Sequence, residues 1–146
     1  MQILFICTGN VSRSPVAECI LRTMAERAGR SDIIVSSAAV HDLHSQLYDQ
    51  QMAAAAARHG YSMRGQSIHM TDELLQNADL IFVMERYHII QVQKNLPYDQ
   101  WYKLKQLNQY CFGEALDIED PLYSDEQYEV IFNQIESCCK IIMSRI

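Results

Sequence analysis

The amino-terminal segment constrains the fold of this chain more than any other feature. The apolar run Ile3–Ile6 predicts a buried strand, and the residues from Val16 to Ala28 follow a helical pattern. Between them, Gly9 and Asn10 tolerate the positive φ of a tight turn, and Ser14-Pro15 is a pair that commonly begins a helix. The segment therefore predicts a strand, a short turn and a helix, joined by the sequence Cys7-Thr8-Gly9-Asn10-Val11-Ser12-Arg13-Ser14-Pro15.

Such a turn can bind a phosphate group. Backbone N–H groups at a helix N-terminus and in a concave loop attract anions, and the guanidinium of Arg13 is a planar fork that matches two phosphate oxygens. A phosphate in this turn would face the sulfur of Cys7, and a helix N-terminus and a nearby cation favour the reactive thiolate. The pattern predicts that Cys7 is a nucleophile; the alternative is a buried structural cysteine beside a solvent-facing Arg13.

The composition indicates one compact domain over residues 1–146. The chain is 49% hydrophobic and 21% charged, which is ordinary for a globular protein. No apolar run is long enough to span a bilayer, and the amino terminus lacks the pattern of a signal peptide. The five cysteines are odd in number and irregularly spaced, which favours reduced thiols in a cytoplasm over a disulfide framework. The formal net charge of −6 argues against general nucleic-acid binding.

Strand and helix patterns alternate along the rest of the chain. Further strands are predicted near residues 33–37, 80–84 and 102–107, and helices near residues 47–59, 71–76, 86–94 and 125–143. The last helix has one broad apolar face, formed by Tyr128, Ile131, Phe132, Ile135, Cys138, Cys139 and Ile142. The alternation predicts a parallel sheet covered on both faces. Ligands of such sheets bind beyond the carboxyl ends of the strands, where Cys7 lies.

Asp120 is a candidate proton donor. Cleavage of a phosphate ester needs an acid that protonates the departing oxygen, and Pro121 favours an extended conformation for the preceding Asp120. An Asp-Pro pair is also a common surface turn. The motif by itself leaves both interpretations open.

The chain resembles the low-molecular-weight protein tyrosine phosphatases over nearly its whole length. The segment from Cys7 to Pro15 is similar to the phosphate loop of that family, C-x-G-N-x-C-R-S-P, and Asp120-Pro121 resembles the Asp-Pro of its acid loop. The resemblance implies a single-domain three-layer α/β/α fold with a four-stranded parallel sheet, which is flavodoxin-like and of the phosphotyrosine phosphatase I type. It also implies hydrolysis of phosphotyrosine and small aryl phosphates through a cysteinyl-phosphate, without a metal or another cofactor.

The resemblance assigns an expected role to each site residue. Cys7 would attack phosphorus, Asp120 would act as acid and then as base, and Arg13 would bind the equatorial oxygens together with the backbone amides of the loop. Ser14 would hydrogen-bond the Cys7 thiolate. Asn10 would hold the loop in shape, with Ser37 as its partner. The expected phosphate-binding set is Thr8, Gly9, Asn10, Val11, Ser12, Arg13 and Ser14.

Two parts of the sequence depart from the family pattern. Ser12 stands where the family has a second loop cysteine, so we expect peroxide to oxidise Cys7 irreversibly. The expected rim of the substrate pocket has few aromatic side chains, which predicts modest activity on phosphotyrosine peptides. The rim residues are Leu43, His44, Leu122 and Tyr123.

Other functions on the same scaffold stay open. An arsenate reductase needs two further cysteines near the pocket, for which Cys111 is the only candidate. A phosphoarginine phosphatase has threonine where this chain has Val11. A regulatory module that only binds phosphate would need neither nucleophile nor acid. For a tyrosine phosphatase the expected partners are a phosphotyrosine-bearing protein, with a tyrosine kinase as one candidate, and inorganic phosphate or a similar oxyanion in the loop.

Overall fold

A parallel four-stranded sheet forms the centre of the fold. The computed structural model describes residues 1–121 and 124–146. The strands are β1 (Gln2–Cys7), β2 (Ile34–Ala39), β3 (Leu80–Val83) and β4 (Leu104–Gln106), and they lie in the order β2-β1-β3-β4. β1 pairs with both β2 and β3, so its carboxyl end lies in the middle of one edge of the sheet.

Helices cover both faces of this sheet. They are α1 (Arg13–Arg27), α2 (Gln50–Arg58), α3 (Asp72–Asn77), α4 (Arg86–Gln93), α5 (Leu107–Phe112) and α6 (Asp125–Arg145), with a 3₁₀-helix at Tyr98–Lys103. Alternate residues of β1 enter different cores, as the pleat requires. Phe5 and Cys7 join a core with α1, α2 and α6, whereas Leu4 and Ile6 join a core with α3 and α4. The predicted three-layer α/β/α architecture is confirmed.

Helix ends follow local sequence signals. The Thr71 side chain accepts a hydrogen bond from the backbone N–H of Leu74 and so caps α3. The Asp49 side chain caps α2 in the same way, which is why this helix begins at Gln50 rather than near residue 47. The apolar face predicted for α6 is confirmed, because all seven of its residues are buried.

The region after β3 differs most from the prediction. β4 is only three residues long, because the 3₁₀-helix occupies the chain up to Lys103. The chain after β4, for which the sequence predicts no helix before residue 125, contains α5, whose Leu107, Asn108 and Cys111 are buried. Six residues are too few to show a periodic apolar pattern. This helix is therefore stabilised by tertiary burial and is not predicted by the sequence. Within the described residues, none of the helices is long and apolar enough to cross a membrane.

Candidate active site

The cysteine at the end of β1 lies beneath a loop that leads directly into α1. Cys7 is 2% exposed, and its Sγ lies 2.9 Å from Oγ of Ser14 in the first turn of α1. The side-chain amide of Asn10 donates to the same Oγ at 2.9 Å. Because that oxygen accepts from Asn10, the proton of Ser14 is available to the sulfur. The hydroxyl of Ser14 can therefore donate a hydrogen bond to the sulfur of Cys7.

Asn10 fixes the shape of this loop. Its φ is 53°, a left-handed conformation that asparagine tolerates better than most residues. Its Nδ2 donates to Ser37 on β2 at 2.8 Å as well as to Ser14, and its Oδ1 accepts from the N–H of Ile68 at 2.9 Å. The side chain is fully buried. The loop is therefore tied to α1, to β2 and to the segment before α3.

Arg13 is buried, and its guanidinium is held by hydrogen bonds chiefly at Nη1. Nη1 donates to Oε2 of Glu85 at 2.6 Å and to the backbone oxygen of Ile118 at 2.7 Å. Nη2 donates to Oγ1 of Thr8 at 3.3 Å and lies 3.9 Å from Oδ2 of Asp120. Both protons of Nη1 are thus used, whereas Nε and part of Nη2 have no acceptor among the described residues. These remaining N–H groups can bind an anion in the loop.

Asp120 lies on a segment that is anchored just before it. Ile118 is fully buried, donates its N–H to the oxygen of Met84 and accepts from Arg13. The carboxylate of Asp117 accepts from the backbone N–H of Arg86 and from the side chain of Gln106. Asp120 itself is 52% exposed. The segment thus holds an exposed carboxylate beside the guanidinium of Arg13.

Two side chains that the sequence did not single out complete the site. Glu85 and His88 follow β3 at the start of α4 and contact Arg13 and Thr8, respectively. Their signal in the sequence is position: they follow a buried strand next to β1, and the carboxyl ends of parallel strands share one edge. Burial, and secondarily the nearby Arg13 cation, lowers the pKa of His88 to about 4. His88 is therefore neutral at physiological pH.

The predicted pocket rim is only partly described. A Cβ at Gly9 would lie 2.5 Å from Cδ1 of Leu43, so the side chain of Leu43 covers the loop there. His44 is exposed, and its contacts in the described part of the chain are with Asp42. Leu122 and Tyr123 lie outside the described residues. An aromatic pair that was not predicted, Tyr87 and His41, is hydrogen-bonded at 2.9 Å.

Further polar groups and thiols lie in and around this site. Among the described residues, no group of three or more His, Cys, Asp or Glu side chains could hold a metal ion. Ser12 is buried and its Oγ has no hydrogen-bond partner in residues 1–121 and 124–146. Cys111 packs against α6, where its Sγ lies 3.7 Å from the oxygen of Cys138. All five cysteines are free thiols.

The fold and this loop define a class of α/β proteins in which a cysteine at the end of the first strand precedes a loop and a buried arginine, and sequence comparison identifies the family. A family model described as "Low molecular weight phosphotyrosine protein phosphatase" matches residues 2–146. The chain belongs to this family. It is 37% identical over 145 residues to the low molecular weight protein-tyrosine-phosphatase Etp of Escherichia coli K12, covering 92% of this chain and 87% of Etp.

Two further relatives indicate the range of the family. A protein-arginine-phosphatase of Bacillus subtilis is 32% identical over 123 residues, covering 83% of this chain and 79% of that protein. The crystal structure of a low molecular weight phosphotyrosine phosphatase from Vibrio cholerae O395 superposes with a TM-score of 0.90 at 28% identity, covering 99% of this chain and 95% of that one. Members of the family thus include phosphatases named for tyrosine and for arginine.

Proposed function

We propose that this chain is a protein tyrosine phosphatase that hydrolyses phosphotyrosine and small aryl phosphates through a cysteinyl-phosphate on Cys7. The observation that carries the proposal is the position of Sγ: it lies at the carboxyl end of β1, hydrogen-bonded to Ser14 and beneath the loop that ends at the buried Arg13. A thiolate beside a helix N-terminus and a guanidinium is the reactive form of cysteine. The chain is proposed to act as one domain over residues 1–146.

In the first step, Cys7 displaces the tyrosyl oxygen from phosphorus. The S–P bond forms as the P–O bond to the phenol breaks, and charge develops on the equatorial oxygens. The Nε and Nη2 groups of Arg13 and the backbone N–H groups of residues 8–14 stabilise that charge. Asp120 donates a proton to the departing phenolic oxygen. No cofactor is needed for this displacement.

In the second step, water releases the phosphate. Asp120, now a carboxylate, takes a proton from the attacking water, whose oxygen bonds to phosphorus as the S–P bond breaks and Cys7 leaves as a thiolate. The hydroxyl of Ser14 stabilises the departing sulfur, because Asn10 already donates to its oxygen and leaves its proton free. Inorganic phosphate is then the product held in the loop, and we expect it to inhibit competitively.

Hydrolysis of phosphoarginine is the second candidate function, because the Bacillus relative is named a protein-arginine-phosphatase. Against it stands Val11, whose apolar side chain lies near Gly9 and Leu43 and provides no hydrogen bond for a guanidinium. An arsenate reductase is less suited still, because Cys111 packs against α6 and the segment from Met84 to Lys94 has no cysteine. The proposed partner is a phosphotyrosine-bearing protein in the cytoplasm, with a tyrosine kinase as one candidate.

The test makes two comparisons, one among substrates and one between two cysteine variants. Wild type should hydrolyse p-nitrophenyl phosphate and a phosphotyrosine peptide much faster than a phosphoarginine peptide, with and without chelator. Cys7→Ser should abolish turnover, whereas Cys19→Ser on α1 should not, because Cys19 lies outside the loop. Acid quenching during turnover should trap phosphorus on Cys7 in the wild type. Absence of this adduct during active turnover would contradict the proposal, and a preference for phosphoarginine would favour the second candidate.

A further inference from the structure

The hydrogen bonds around Thr8 define the direction of its hydroxyl group. The backbone N–H of Glu85 donates to Nδ1 of His88 at 3.0 Å. A backbone N–H can only donate, so Nδ1 carries no proton. The proton of the neutral ring is therefore on Nε2, which lies 2.9 Å from Oγ1 of Thr8. His88 donates to Thr8, and not the reverse.

Thr8 receives a second hydrogen bond from the site itself. Nη2 of Arg13 donates to the same Oγ1 at 3.3 Å. A hydroxyl has two acceptor positions and one proton. Because His88 and Arg13 occupy both acceptor positions, the proton of Thr8 must point away from both of them. Thr8 is only half-buried, and no acceptor for this proton exists among the described residues.

We propose that His88 is a positioning residue that turns the Thr8 hydroxyl into a fixed hydrogen-bond donor for a phosphoryl oxygen in the loop. The proposal rests on the function proposed above, because it assumes that residues 8–14 hold the phosphoryl group. Thr8 follows the nucleophile directly and contacts the guanidinium nitrogen that faces Asp120. A phosphoryl oxygen at this point would supply the acceptor that the hydroxyl lacks.

The burial of His88 is consistent with this arrangement. The ring is fully buried, and burial and Arg13 together keep it neutral. A protonated ring would place an N–H against the N–H of Glu85 and a second cation beside Arg13. The neutral tautomer is the only form that satisfies Glu85 and Thr8 together.

Two substitutions of His88 separate the contact with Thr8 from the contact with Glu85. In His88→Asn, the side-chain oxygen can still accept from the N–H of Glu85, but the donor to Thr8 is lost. In His88→Gln, the longer amide can still donate to Thr8, but the acceptor for Glu85 is lost. The proposal predicts that kcat/KM falls about tenfold in His88→Asn and that His88→Gln recovers most of this loss. A role in capping α4 alone predicts the opposite order.

Substitutions of Thr8 test the same hydrogen bond. Thr8→Val keeps the shape and removes the hydroxyl, and it should lower kcat/KM about tenfold and weaken binding of inorganic phosphate by a similar factor. Thr8→Ser should recover most of both losses. The double variant Thr8→Val with His88→Asn should be no worse than the worse single variant, because both remove one interaction. His59→Gln serves as the control, because His59 stacks on Phe132 of α6 and has no hydrogen bond to the loop among the described residues.

The outcomes separate this proposal from the proposed function. Equal losses of kcat/KM in His88→Asn and His88→Gln would overturn the role of His88 but not the phosphatase activity. Phosphate binding that is unchanged in Thr8→Val would do the same. If the wild type hydrolyses neither substrate, the proposed function fails. Titration with inorganic phosphate would then still test whether Thr8 and His88 act together. If His88→Asn does not fold by thermal melting, the comparison of Thr8→Val with Thr8→Ser decides the question.

Discussion

The loop over residues 8–14 and the segment over residues 113–121 meet at Arg13, but they are built differently. The loop is held by buried side chains: Asn10, Arg13 and Ser14 are all buried, and Asn10 donates to Ser14 and to Ser37 on β2. The segment is mostly exposed and is held chiefly at Asp117 and Ile118. The proposed phosphate site is therefore held by buried hydrogen bonds, whereas the proposed acid is carried by an exposed segment next to it.

The largest effect on activity is expected in the exposed segment over residues 113–121. Asp120→Asn should lower kcat on a phosphotyrosine peptide by about 10²–10⁴-fold, because the departing phenol loses its proton donor. The free energy of unfolding should change by less than about 0.5 kcal/mol, because the side chain is exposed and lies 3.9 Å from Arg13. Steady-state kinetics and urea unfolding check both parts. Glu119→Gln is the matched control, and an equal loss of kcat in that variant would count against Asp120.

The opposite pattern is expected for the buried loop. Asn10→Ala removes three hydrogen bonds and leaves alanine at a φ of 53°. The free energy of unfolding should fall by about 2–4 kcal/mol, and kcat/KM by about 10²-fold because the loop is displaced. Asn95→Ala, on the surface, is the control. If Asn10→Ala is as stable as the wild type, the proposed difference between the buried loop and the exposed segment is wrong.

A tenfold effect is expected where the two regions meet. In Glu85→Gln, the buried Arg13 keeps a neutral acceptor but loses its negative partner, and kcat/KM should fall about tenfold. In Glu18→Gln, a partly exposed ion pair with Arg22 is lost, and activity should change little. Kinetics of the two variants, measured side by side, check this. Similar losses in both would mean that net charge, rather than the contact with Arg13, is responsible.

Oxidation tests the loop in another way. Sγ of Cys7 is hydrogen-bonded to Ser14, and all five cysteines are free, so Cys7 has no disulfide partner. We expect that moderate peroxide inactivates the enzyme and that reductant restores little activity. Ser12→Cys should recover substantially more activity after reduction, because a loop disulfide can then form. Full recovery of the wild type by reductant would show that another route protects Cys7.

The smallest expected effect concerns the unpaired hydroxyl of Ser12. Ser12→Ala should raise the free energy of unfolding by about 1 kcal/mol, because a buried donor without a partner is removed. Ser67, whose Oγ is also buried and unpaired in the described residues, provides a matched Ser67→Ala variant outside the loop. Chemical denaturation measures both. A loss of stability in Ser12→Ala alone would mean that its hydroxyl has a function in the loop.

The sequence determined much of this protein through local patterns. The apolar run of β1 and the residues from Cys7 to Pro15 predict a strand, turn and helix, because turn and cap residues act over a few positions. The apolar face of α6 was predicted for the same reason. These features depend on neighbours in the chain, so they can be read without the fold.

The tertiary structure decided the contacts between distant segments. Glu85, His88 and Ile118 reach Arg13 and Thr8 only because β1 and β3 are adjacent and parallel, with their carboxyl ends at one edge. The N–H of Glu85 sets the tautomer of His88, and Glu85 and Ile118 accept from Nη1 of Arg13. Nothing local in the sequence encodes these pairings, because they join residues more than 70 positions apart.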